Sequence, residues 1–133
     1  MSEPGSYAAP TTALAAYEPR NLSEAYSLAK YYAESKLLAR ELQSPEAALL
    51  IMATGAELGI PATTALRAIH IINGKPVTSA DLMVALCLQK RSVCERFELI
   101  ESTETLATYE TVRKGQSPKR MTFTLEDARR ARL

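Results

Sequence analysis

Seven cations crowd the end of this 133-residue chain: Arg113, Lys114, Lys119, Arg120, Arg129, Arg130 and Arg132. From Glu110 onward only Glu110, Glu126 and Asp127 oppose them. Arg113, Lys114, Lys119 and Arg120 flank one turn, Arg113-Lys-Gly-Gln-Ser-Pro118. A basic hairpin tip beside a basic helix suits a phosphate backbone, because lysine and arginine there displace condensed counterions. The same cluster also suits a plain solvated turn. Lys75, at the tip of a second turn, is a further candidate for a phosphate, with Arg67, Arg129 and Arg130 behind it. The stretch before the basic cluster is acidic: Glu95, Glu98, Glu101 and Glu104 face only Arg96. Such a strand repels nucleic acid from the wrong face, or pairs with the basic end of a neighbouring subunit. Net charge is +1, so attraction for a polyanion rests on local patches and not on the whole molecule.

Catalytic chemistry finds no motif. Neither G-x-x-x-x-G-K-[ST] nor G-x-G-x-x-G occurs, so no phosphate-cradling nucleotide loop is written here. There is no G-x-S-x-G elbow. The one histidine, His70, has no Cys, Asp or Ser constellation around it and reads as an ordinary strand residue. Carboxylates are many, but none is placed as an acid/base or two-metal pair. The reading is therefore a non-enzyme without cofactor or metal. Cys87 and Cys94, seven apart, would lie about 10 Å apart on one helix, too far for a disulfide, and fit a reduced intracellular chain. No run of about 18 apolar residues exists to span a membrane.

The elements that position these groups follow from local signals. Residues 1–21 carry Pro4, Pro10 and Pro19 among small polar residues and read as a flexible tail, with Tyr7 and Tyr17 as its only anchors. Ser23 is the expected cap of a first helix with Leu22, Ala25, Ala29, Tyr32, Ala33 and Leu37 on its apolar stripe. Tyr26, Tyr31 and Tyr32 beside that stripe read as packing residues rather than a base-stacking platform. Ser44-Pro45-Glu46 opens a second helix, apolar nearly all round and so expected to be covered on more than one side. Gly55 inside it needs the close approach of another backbone, since glycine costs about 1 kcal/mol there. Gly59 is the expected left-handed C-cap, followed by Ile60 and Pro61. Asn73-Gly74 between apolar residues signals a two-residue hairpin. Thr78-x-x-Asp81 then predicts a capping box for a helix over Ala80–Gln89, closed by Lys90 and Arg91 at its C-terminal dipole. Beyond it, 97–102, 106–112 and 120–125 read as three short strands of an antiparallel meander. Thr124-x-x-Asp127 opens a last helix of about two turns without a C-cap. Such a helix reads as cut short, split, or completed by a partner. The expected fold is α+β: a helical N-terminal half, a β-hairpin, the meander and a terminal helix, with residues 22–133 as one domain.

Glu57-Leu-Gly-Ile-Pro61, then Ala65-Leu66, then Ile69-x-x-Ile72-Asn-Gly-Lys-Pro76, resemble phage recombination proteins of the RecT/Bet type. Asn21-Leu-Ser-Glu-Ala-Tyr26 and Thr122-Phe-Thr-Leu-Glu-Asp-Ala128 extend the resemblance over roughly residues 22–133. The family pattern continues past this last helix through an aromatic and basic segment that is absent here. The resemblance implies ATP-independent binding of single-stranded DNA, annealing of complementary strands, and assembly into rings or filaments. It also implies a phage exonuclease as a partner and a place in the cytoplasm of a bacterial or phage-infected cell. The residues themselves leave a second reading open, a small oligomeric structural or interaction protein that binds only other proteins.

Overall fold

The computed structural model describes residues 16–133, so the tail expectation over residues 1–15, Tyr7 included, lies outside the described residues. The fold is α+β, with a two-stranded hairpin and a separate three-stranded antiparallel sheet whose strands pair in chain order. Its contacts fall into two compact units, divided between Met83 and Val84. No single helix among the described residues is long and apolar enough to cross a membrane.

The first unit is mostly helical. Helix α1 spans Leu22–Glu34, and its cap is Asn21 rather than the expected Ser23. Asn21 is extended, so its side-chain oxygen reaches the Glu24 N–H at 2.9 Å, while Ser23 already lies inside the first turn. Ala29 and Ala33 are buried, and these small side chains let α1 lie close to its neighbour. The expected ends of the stripe, Leu22 and Leu37, are exposed, because the chain leaves the helix at Ser35 and turns through Lys36 at φ 60. Tyr32 is half-buried, whereas Tyr26 and Tyr31 are exposed.

A short 3-10 turn, Arg40–Leu42, buries Leu42 before helix α2, Pro45–Glu57. Ser44 caps α2 through the Ala47 N–H. Ala48, Ile51, Met52 and Gly55 are buried, but Leu50 and Ala53 face outward, so α2 is less enclosed than its composition predicts. The helix ends as expected. Gly59 takes φ +73, the Gly59 N–H bonds Ala56 O, and the Ile60 N–H bonds Gly55 O at 2.9 Å, burying Ile60.

Helix α3, Ala62–Ala68, has no cap from its own flank, since Pro61 has no suitable side chain. The missing acceptor comes from 44 positions away: the Glu18 carboxylate accepts from Ala62 N–H at 3.0 Å. Residues 16–21 are thereby tied to the helical unit. Glu18→Ala is expected to cost about 1 kcal/mol, the usual worth of an N-terminal cap. Urea unfolding checks this, and Glu18→Gln, which keeps an acceptor, should lose less.

Strands β1 (Ile69–Ile72) and β2 (Lys75–Thr78) pair antiparallel through Asn73 and Gly74, both at positive φ as this tight turn requires. Ile69 is fully buried and His70 exposed. Helix α4 spans Ala80–Gln89 as expected, but its capping residue lies one position later than in the expected box. Ser79, not Thr78, receives the Leu82 N–H, because Thr78 is still paired in β2.

The second unit holds the meander. Strands β3 (Cys94–Ser102), β4 (Leu106–Arg113) and β5 (Lys119–Thr124) pair with neighbours in order. Cys94 opens β3, so it does not continue the helix that carries Cys87, and both thiols are free. Helix α5, Leu125–Arg130, begins with the expected box: Thr124 and Asp127 exchange side-chain and backbone hydrogen bonds.

Candidate nucleic-acid interface

Side chains of paired residues share a face of an antiparallel sheet, so the register sorts the meander into two surfaces. One surface is polar. Thr108 and Thr122 share a 2.8 Å hydrogen bond. Glu110, only 7% exposed, sits between two guanidiniums: Arg96 Nη2 donates to its Oε1, and Arg120 Nε donates to its Oε2 at 2.8 Å. The hydrogen bond from Arg120, joined by the charges of Arg96 and Arg120, holds this carboxyl below its ordinary 4.5 against the opposing effect of burial. Glu98 lies opposite Glu110, 3.9 Å from Arg96 Nε, so Arg96 also separates two like charges.

The slip of register between Leu99 and Glu101 is a bulge that absorbs Ile100. It carries Glu101 onto the polar surface, opposite Thr108 and beside Glu98. A strict two-residue alternation would have put these two glutamates on opposite faces.

The other surface is apolar and open. Phe97 and Tyr109 meet edge to face with centroids 5.7 Å apart. Leu99, Met121 and Phe123 continue it across the strands at 49%, 75% and 49% exposure. At the β4–β5 end the register adds Arg113 and Lys119 to this surface. A cleft of about 350 Å³ opens there, lined by Thr111, Arg113, Gln116, Ser117 and Lys119. The turn beneath it is held by the Gln116 N–H on Arg113 O and by Gly115 at φ +75. Two cations, two hydroxyls and an amide around one opening make a site for a multiply charged oxyanion.

The candidate cations separate on this geometry. Arg113, Lys114 and Lys119 are exposed and, among the described residues, form no ion pair. Arg120 sits next to Lys119 in sequence but on the polar surface, bound to Glu110. Arg130 lies 3.6 Å from Asp127 and 3.8 Å from Glu126, while Arg129 is exposed in the last turn of α5. Lys75 and Arg67 belong to the helical unit. Lys75 is exposed at the hairpin tip, and Arg67 Nε bonds its own helix at Thr63 O. Sequence reasoning missed the Arg96–Glu110–Arg120 bridge. The available signal was a lone glutamate in a strand whose two neighbours each carry an arginine.

Among the described residues no group of three or more His, Cys, Asp or Glu is arranged to hold a metal ion. No protein-family profile, no curated protein and no solved structure matches the chain.

Proposed function

We propose that this chain binds single-stranded DNA through its phosphates, without ATP, and anneals complementary strands as part of a homo-oligomeric ring or filament. The observation that carries the reading is the polar cleft at the β4–β5 turn, where the unpaired Arg113 and Lys119 converge with Lys114 alongside. The resemblance of residues 55–83 to RecT/Bet-type proteins supports it. Phosphate contacts of this kind hold a strand largely regardless of sequence, and the second strand is then selected by base pairing, not by the protein. Repetition in an oligomer multiplies weak sites by effective concentration. Lys75, Arg120, Arg67, Arg129 and Arg130 are secondary contributors, and a phage exonuclease is the natural partner of such an activity. The open apolar surface around Leu99, Met121 and Phe123 favours the second reading, a module that binds protein only.

Salt dependence separates the two. With about three phosphates neutralised, single-strand affinity should fall about 20-fold between 50 and 200 mM salt. Arg113→Glu with Lys119→Glu should weaken binding at low salt and flatten that dependence. A gel shift with a labelled oligonucleotide reads both. Absence of binding at low salt overturns the DNA reading and leaves the protein-binding module.

A further inference from the structure

Among the described residues the three-stranded sheet has two edges with no further strand, β3 and β5; β5 is exposed over Lys119–Phe123, and β3 at Glu95 and over 98–102, with Cys94, Arg96 and Phe97 half-buried. An unpaired edge is a template for another strand unless something blocks it. β3 is nine residues long and carries no proline, one of the devices that block an edge. The two edges differ in charge: β3 carries Glu95, Glu98 and Glu101 against the single cation Arg96, while β5 carries Lys119 and Arg120 and no acid.

We infer that this chain assembles head to tail, the β5 edge of one copy adding to the β3 edge of the next to continue the sheet. This rests on the oligomeric part of the proposed function and names its surface. Charge complementarity selects the partner. A two-fold contact would set β3 against β3, with three glutamates to one arginine on each side, or β5 against β5, cations facing cations. Like charges directly opposite destabilise a pair of strands. Only the β5–β3 joint sets unlike edges together.

Both surfaces of the sheet agree with that joint. β3 and β5 each run antiparallel to β4, so they share a direction, and a head-to-tail joint that keeps each surface continuous is parallel. On the polar surface Arg120 of one copy comes beside Glu98 and Glu101 of the next. Its Nε is held by Glu110, but the side chain is 65% exposed and a guanidinium has further donors for a second carboxylate. On the other surface Met121 and Phe123 meet Phe97 and Leu99, so the open apolar strip becomes continuous between copies and loses exposed area. A joint of this kind leaves one free β3 and one free β5 at the ends. It therefore grows until rotation closes it into a ring or continues as an open filament.

The test uses the full chain, sedimented over a range of salt concentrations. Sedimentation should show species larger than a dimer that dissociate as salt rises. Glu98→Lys with Glu101→Lys, both at exposed positions, should reduce the mass to that of one copy while circular dichroism keeps the native spectrum. A mixture of that variant with Lys119→Glu, Arg120→Glu should assemble again if the second variant folds. The first variant alone suffices if it does not. A chain that stays monomeric, a species that stops at a dimer, or assembly that survives the Glu98 and Glu101 reversal overturns the inference. Low-salt binding of single-stranded DNA by the monomeric variant is read in parallel, so failure of the joint and failure of the DNA reading remain distinct outcomes.

Discussion

Gly55→Ala lowers the unfolding free energy of the helical unit by about 2 kcal/mol. A methyl built on Gly55 overlaps the Ala65 methyl and lies 3.2 Å from Ile60 Cγ1. Ala65 is fully buried on α3, and Ile60 is pinned by the backbone bond that ends α2. Neither neighbour has a free side-chain end to swing aside, so a helix must move. Overpacking of this kind costs about 1–3 kcal/mol and occasionally more. The better helix propensity of alanine returns up to about 1 kcal/mol of it. Urea unfolding of the two proteins measures the net loss. Restoring the space with Ala65→Gly should recover part of it, so the double variant is more stable than the sum of the two single losses predicts. Additive losses would mean that the two methyls do not compete for one space.

Glu110→Gln produces the second large effect, in the three-stranded sheet. The substitution keeps an acceptor but leaves Arg96 and Arg120 converging on a neutral, buried amide. Removing one member of a bridged set destabilises more than the set itself stabilises, because the remaining charges lose their counterpart. The urea midpoint at pH 7 should therefore fall further than for Glu95→Gln, a nearby exposed control.

The pH dependence has a definite sign. The Glu110 carboxyl is depressed in the folded state, so its contribution is fully present above the ordinary carboxylate range. It is lost as pH falls through the folded value, below 4.5. Asp127, depressed by its bonds with Thr124, and Glu24, depressed by Arg20, add to the same acid slope. Comparing Glu110→Gln with the unaltered chain at pH 7 and pH 3 isolates the one residue: the difference should shrink toward acid. A difference that stays constant or widens would show that the carboxylate charge does not brace the sheet.

Much of the chain's backbone was legible before any coordinates. Gly59, Asn73-Gly74 and Thr124-x-x-Asp127 act on groups two to five residues away, so their types and order determine the geometry. The same locality explains the α+β succession and the meander, whose short turns pair consecutive strands. Where several capping residues stand in a row, the sequence names the region but not the residue. Asn21 won over Ser23, and Ser79 over Thr78, according to where the flanking chain was already extended.

The candidate site divides along the same line. That Arg113, Lys114, Lys119 and Arg120 gather at one turn is a fact of the sequence alone. Which of them are available is not. Arg120 is held by Glu110 and Arg113 is not, because the register places them on opposite surfaces of one sheet. The bulge at Ile100 sets Glu101 beside Glu98, and Glu18 reaches a helix start 44 residues away. Side-chain type and periodicity, acting over a few residues, determined which turns and helices form and where charge accumulates. Pairings between distant segments decided which charges are bridged and which stay free, because those depend on register and contact that no local pattern carries.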